Sequence, residues 1–308
     1  LYLCYSISKM QGKIYQLGLL FCTIFLISQE RLFAEEKPLL TSPLVENPKS
    51  IVFIGNSFFY YNNGVHKPTL GMVKANLDLG KGHRFRNITI NSSSLEWHDV
   101  ESYVTNDKIG SFSITSKNQY KKYQPENYEL AIMMDCSQCP VHPDRKDLFN
   151  FYVDQHSKTL RNNDVEPSLL MTWAYKDKPD MLEGLASAYI AAGNKNKIAV
   201  FPVGLAFDLS QKENPSIELY TPDKRHPSKA GTYLMAAVIY SSIYNVSPVN
   251  NSYDYGISSE IQRKLQESAW KTVLRYKTTL SMLYPSPKLP SIVPQHLMFV
   301  GLLFCIPE

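Results

Sequence analysis

Five short runs of mostly apolar residues, separated by stretches long enough for helices, constrain the fold of this chain more than any other feature. They are Ser50–Ile54, Phe85–Ile90, Leu130–Met134, Ser168–Trp173 and Lys197–Val203. Each has strand length, and most lack the polar alternation of a sheet with one wet face. The pattern predicts strands buried on both sides, as in a parallel sheet. Helical stretches lie between and after them, at Leu148–Leu160, Pro179–Ala192, Pro227–Tyr244 and Ser258–Tyr276. Pro179 and Pro227 suit the first turn of a helix, where a missing N–H leaves no bond unmade. Parallel strands need crossovers, and crossovers are right-handed. The expected architecture is a three-layer α/β/α sandwich, with any active site beyond the carboxyl ends of its strands.

Of 308 residues, 44% are hydrophobic, enough for one sizeable core. There is no internal repeat and no long linker, so residues 45–280 read as a single domain. Lys and Arg number 32 against 28 Asp and Glu, in short pairs such as Lys121-Lys122 rather than a stripe. A nucleic-acid partner is therefore not expected. Ahead of the domain, residues 10–34 read as a signal peptide. Met10 serves as its start, Lys13 as the positive flank, Leu17–Ile27 as the apolar run and Ala34 as the cleavage point. The run is short for a bilayer span, which favours cleavage over a retained anchor and leaves no stable membrane span. Cys22 follows the bulky Phe21, a poor context for lipidation. The expected location is secreted or periplasmic. The tail, residues 281–308, is Pro-rich and ends in the apolar stretch Leu297–Ile306, which either packs on the domain or stays loose.

Two motifs carry chemistry. The first strand runs into Gly55-Asn56-Ser57-Phe58. A turn of this kind lifts a serine hydroxyl to the top of the sheet and aims helix-start N–H groups at negative charge forming there. The same residues also fit an ordinary capping serine. Far along the chain, Asp223-Lys224-Arg225-His226-Pro227-Ser228 sets a carboxylate three residues before a histidine. In one loop, that carboxylate can accept from Nδ1–H and leave Nε2 free to take a serine proton. Together the motifs point to Ser57 as nucleophile, His226 as base and Asp223 as its orienting acid.

In these residues the chain resembles the SGNH, or GDSL-type, hydrolases. Gly55-Asn56-Ser57-Phe58 is similar to the family's first block and Asp223-Lys-Arg-His226-Pro-Ser to its last. The stretches Ser92-Ser93-Ser94-Leu95-Glu96-Trp97-His98, Met171-Thr172-Trp173-Ala174, Pro202-Val203-Gly204-Leu205-Ala206 and Gly231-Thr232-Tyr233-Leu234 are similar to one branch of that superfamily. The resemblance covers about Ser50 to Tyr244. It implies a flavodoxin-like, five-stranded parallel sheet and hydrolysis of a carboxylic ester through an acyl-enzyme, with no cofactor and no metal. It also implies an oxyanion hole built from the N–H groups of Ser57 and Ser92 and a side chain after the third strand. The sequence departs from the family pattern there. Ser92 stands where a glycine is usual, and Asp135-Cys136-Ser137-Gln138 replaces G-x-N-D, so Ser137 or Gln138 must supply the third donor. The expected substrate is a small-molecule or polysaccharide ester, with short acyl groups on carbohydrate preferred by analogy. A second reading, favoured by those departures, is a non-catalytic carbohydrate-binding protein on a decayed hydrolase fold.

Other residues carry competing readings. Cys136 and Cys139 fit a disulfide in an oxidising compartment or a thioredoxin-like redox pair, though no tryptophan precedes them. With His142 they make only three zinc ligands. The cluster Phe58-Phe59-Tyr60-Tyr61 fits a pocket floor or the core. His66, His83 and His156 have no acid at matching spacing and read as structural, while His98 is expected to line the site by family analogy.

Overall fold

The computed structural model describes residues 37–105, 112–114, 119–122 and 127–281. The expected signal segment and nearly all of the expected tail lie outside the described residues. The strands are β1 (Ser50–Gly55), β2 (Arg84–Thr89), β3 (Phe112–Ile114), β4 (Tyr120–Lys122), β5 (Leu130–Met133), β6 (Glu166–Leu170) and β7 (Ala199–Phe201). The helices are α1 (Ser57–Tyr60), α2 (His66–Ala75), α3 (Val100–Thr105), α4 (Lys146–Asn162), α5 (Met181–Asn196), α6 (Val203–Glu213), α7 (Lys229–Tyr244) and α8 (Ser259–Ser281). Five strands form one parallel sheet in the order β2-β1-β5-β6-β7. With the small antiparallel ribbon β3–β4 set aside, this is the doubly wound order of flavodoxin-like folds. The three-layer α/β/α expectation holds.

Strand periodicity divides the core in two. Ile51 and Phe53 of β1, with Leu130 and Ile132 of β5, face the layer that contains Met72, Phe207, Tyr233 and Leu234. Val52 and Ile54, with Ala131 and Met133, face Phe149, Val153, Leu185 and Tyr189 on the other side. Successive side chains of a strand point to opposite faces, so an unbroken apolar run serves both layers. Helix α7 is buried along nearly its whole length, because Leu265, Ala269 and Val273 of α8 cover its outer side.

The element boundaries differ from the sequence expectation in instructive places. Pro179 and Pro227 lie just outside their helices rather than in the first turn. Helix α7 is capped by Ser228, whose hydroxyl accepts from the Gly231 N–H at 3.1 Å. A side-chain acceptor at that position defines the helix start and leaves Pro227 in the preceding loop. The fifth run, expected as Lys197–Val203, contributes only Ala199–Phe201 to the sheet. Lys197 takes the left-handed cap of α5, with φ 54°, and Val203 opens α6 directly after Pro202. Helices α2, α3 and α6 and the ribbon β3–β4 are additions to the sequence reading.

Candidate active site

Three loops converge at the carboxyl ends of the central strands. The first follows β1, where Asn56 caps α1. Its Oδ1 accepts from the Phe58 N–H at 3.2 Å, and its Nδ2 donates to the carbonyls of Ser93 at 2.9 Å and Asp135 at 3.2 Å. One side chain thus ties together the turns after β1, β2 and β5. Ser57 comes next, at the first helical position and 7% exposed. Its N–H has no intrahelical acceptor, as expected so close to a helix start.

The second loop runs from Leu219 to Ser228. Thr221 N–H donates to the His226 carbonyl, and Ser228 N–H donates to the Leu219 carbonyl, both at 2.9 Å. These bonds fold the loop back on itself. A Cβ at Gly231 would lie 2.3 Å from the Leu219 carbonyl oxygen, so only glycine lets α7 sit flush against the loop. Asp223 Oδ1 accepts from Thr221 Oγ1, Arg225 N–H and His226 N–H at 2.7, 2.9 and 3.0 Å. Its Oδ2 accepts from His226 Nδ1, and the opposite ring nitrogen, Nε2, accepts from Ser57 Oγ at 2.8 Å. Desolvation pushes the Asp223 carboxyl up. The bonds from His226, Thr221 and the two backbone N–H groups outweigh it and hold the group well below the usual carboxylate range. Ser57, His226 and Asp223 therefore lie in one hydrogen-bonded line.

Aromatic rings fix the imidazole. Tyr61 stacks on His226 with centroids 4.1 Å apart, and Phe58 meets it edge-on at 5.4 Å. Phe58 in turn stacks on Trp173, which stacks on Phe207, each pair at 4.4 Å. Trp173 Nε1 donates to the Arg225 carbonyl at 2.9 Å and so anchors the loop beside His226. Of the four aromatics considered as a pocket floor, Phe59 is core, Phe58 is buried and also lines the cleft beside Ser57, and Phe58 and Tyr61 hold the histidine.

The third group comprises the expected oxyanion residues. Ser92 adopts φ 58°, the left-handed conformation that a glycine would take without strain. Ser137 Oγ lies 2.6 Å from the Tyr175 hydroxyl, and Gln138 Nε2 donates to that same hydroxyl at 2.8 Å. The Cys136–Cys139 disulfide closes the short loop that holds both side chains. Among the described residues, Asp135, Cys136 and Cys139 form the one cluster with metal-ligand spacing, but its two sulfurs are bonded to each other. Ser57, Ser92, Ser137, Gln138 and His226 line a single cleft of about 460 Å³.

His98 does not line that cleft. It is buried behind Ser93, with Nε2 3.0 Å from Ser93 Oγ and Nδ1 3.2 Å from the Tyr103 hydroxyl. Burial, with a smaller push from His156, lowers its pKa to about 4. His156 holds the same turn through the Leu95 carbonyl, at 2.9 Å. Asp135 is also buried, which raises its carboxyl to about 6, although Oδ1 accepts from the N–H groups of Cys136 and Leu95. Sequence reasoning missed the roles of Asn56, Tyr61 and Tyr175. Only Asn56 had a local signal, an asparagine just before a helix start.

No family model and no curated protein matches the chain. Solved structures do. A DUF4886 family protein from Bacteroides uniformis superposes with a TM-score of 0.55 at 17% identity, covering 76% of this chain and 95% of its own. An assigned SGNH hydrolase from Slackia heliotrinireducens gives 0.47 at 18% identity over 62% of this chain and 97% of its own. A G-D-S-L family lipolytic protein from Desulfitobacterium hafniense gives 0.44 at 16% identity over 63% and 99%. The fold of this chain is a three-layer α/β/α sandwich on a five-stranded parallel sheet, and it is similar to that of the Bacteroides uniformis protein.

Proposed function

We propose that this protein is an exported serine esterase that cleaves a carboxylic ester through Ser57, His226 and Asp223. The observation that carries the reading is the unbroken line from Ser57 Oγ through the His226 ring to Asp223 Oδ2. His226 Nε2 takes the Ser57 proton as Oγ attacks the acyl carbon. Asp223 holds the neutral tautomer beforehand and offsets the imidazolium charge afterwards. The proton then passes to the departing alcohol, which leaves an acyl-Ser57. Water, activated by the same nitrogen, attacks this ester and releases the acid. The N–H groups of Ser57 and Ser92 and the side chain of Ser137 or Gln138 are the proposed donors to the oxyanion.

Export is supported by the signal-like segment at residues 10–34 and by the Cys136–Cys139 disulfide, which suits an oxidising compartment. Trp97 is 56% exposed at the cleft margin, and a flat ring there supports an acyl group borne on a sugar. The direct test is labelling with a serine-directed phosphonate. Ser57 should be the residue modified, and Ser57→Ala should keep its fold and lose about 10³-fold or more in turnover. An alanine variant that retains most of its activity overturns the assignment.

A further inference from the structure

The charges around the cleft are one-sided. Arg145, Arg225, His142 and His226 line it, and no aspartate or glutamate does so among the described residues. Arg145 is already matched, with its guanidinium 3.0 Å from Glu96. In the loop that carries the triad acid and base, Lys224 pairs with Asp177 at 3.6 Å, and nearby Lys176 pairs with Glu218. The loop's own carboxylate, Asp223, is occupied by the donors that hold it against His226. The Arg225 guanidinium pairs with no carboxylate among the described residues.

Arg225 is also held in place. Its guanidinium lies over the Tyr175 ring, 4.8 Å from the centroid, and its carbonyl is fixed by Trp173. The Tyr175 hydroxyl is pinned by Ser137 and Gln138. A guanidinium stacked on an aromatic face keeps the N–H groups at its edge free to form a forked pair with a carboxylate. Pre-stacking also removes part of the ordering cost of that pair. The group is adjacent in sequence to His226 and lines the same cleft as Ser57.

On the esterase reading of this site, we infer that the preferred substrate is an ester that also carries an anionic group, a carboxylate above all, bound by Arg225. The reaction is ordinary ester hydrolysis: the acyl–oxygen bond breaks, water supplies the hydroxyl of the released acid, and the alcohol takes the proton. The anionic group is not altered. It belongs either to the acyl part or to the alcohol part, and matched ester pairs separate the two.

Four esters test this with the full mature chain. 4-Nitrophenyl hemisuccinate against 4-nitrophenyl butyrate places the carboxylate on the acyl side. 3-Acetoxybenzoate against 3-acetoxybenzamide places it on the alcohol side. In at least one pair the anionic member should have the higher kcat/KM, by roughly tenfold at low salt. The ratio should shrink as ionic strength rises. It should fall to about one in Arg225→Gln and be partly kept in Arg225→Lys, which retains the charge but loses the fork. Arg145→Gln should keep the ratio, because Glu96 already neutralises that arginine. Equal rates within both pairs, a preference for the neutral esters, or a preference lost in Arg145→Gln but kept in Arg225→Gln overturns the inference. If Ser57 also fails to react with a phosphonate, the esterase reading falls and takes this inference with it. A labelled Ser57 with no anionic preference removes this inference alone.

Discussion

Tyr61 lies face to face with His226, the ring centroids 4.1 Å apart and the planes within 8° of parallel. The imidazole therefore has one fixed plane, with Nδ1 directed at Asp223 and Nε2 at Ser57. A histidine that swings out of that plane loses both partners together. Tyr61→Ala should lower kcat by about tenfold, a typical penalty for slight misplacement of a catalytic group, and leave KM nearly unchanged. Tyr61→Phe keeps the stacking face and should retain most of the activity. Steady-state kinetics on the two variants checks this, and equal losses in both would assign the effect to the hydroxyl instead.

The two motifs that carry Ser57 and the Asp223–His226 pair were legible because each is local. An apolar run ending in Gly55-Asn56-Ser57 signals a strand and the turn that follows, and three residues from Asp223 to His226 fit one loop. Order along the chain then placed both at the same end of a parallel sheet. The supports around these three residues were not legible. Tyr61 reaches His226 and Tyr175 reaches Ser137 only after strands far apart in sequence have paired, and no spacing rule links such residues. His98 misled for the same reason. Its sequence neighbours suggest the cleft, but Leu95 and Val100 anchor their segment in the core and turn the imidazole inward with it. Helix α6 was not read from the sequence; only its first residue, Val203, fell in the run assigned to a strand, although Pro202 just before it was an available start signal.

His98 should make stability depend on pH. Its pKa is about 6.5 when unfolded and about 4 when folded, so between those values the unfolded chain binds more protons. Stability then rises with pH; the contribution is complete above about 6.5 and is lost as pH falls toward 4. Its size is on the order of 3 kcal/mol. His66, lowered to about 4 chiefly by burial, acts in the same direction. Asp135 opposes them: its carboxyl is raised to about 6, so protonation as pH falls through 6 relieves a burial penalty. The two histidines outweigh the one carboxyl, so the net slope in the parent protein keeps the histidines' sign. In His98→Gln one of the terms is removed, and the stability gap between parent and variant should narrow steadily from pH 7 to pH 4. Urea unfolding at several pH values measures the gap; a constant gap would show that His98 is not the titrating group.

Ser92 sits at φ 58° with a side chain that gains no compensating bond among the described residues. A non-glycine residue there costs about 1 kcal/mol or a little more relative to glycine. Glycine loses more chain entropy on folding, by about 0.5–1 kcal/mol. Ser92→Gly should therefore change stability by less than about 1 kcal/mol. Its clearer effect should be on access: removing the exposed hydroxymethyl group opens the approach to the Ser92 N–H, and kcat/KM for bulky acyl esters should rise. A melting curve and a series of acyl chain lengths test the two parts separately.

Ser137 and Gln138 share one partner, and that sharing decides which of them can face an oxyanion. Gln138 Nε2 already donates to the Tyr175 hydroxyl at 2.8 Å. If Tyr175 donates its hydroxyl hydrogen to Ser137 Oγ, 2.6 Å away, the serine keeps its own O–H to point into the cleft, while one of the two Gln138 N–H groups is spent on Tyr175. Tyr175 would then cure the weakness of a serine as donor, its free rotation. Ser137→Ala should lower kcat with little change in KM, by less than the roughly 10²- to 10³-fold lost with a full oxyanion donor. Tyr175→Phe should reproduce much of that loss in the parent but cause almost none in Ser137→Ala, because it acts through the serine. Reducing the Cys136–Cys139 bridge with excess dithiol, which is itself oxidised to a cyclic disulfide, should loosen the same loop and lower kcat in the same sense. Independent, additive losses in the two substitutions would mean that Gln138 or another group faces the oxyanion, and Gln138→Ala would then carry the fall in kcat.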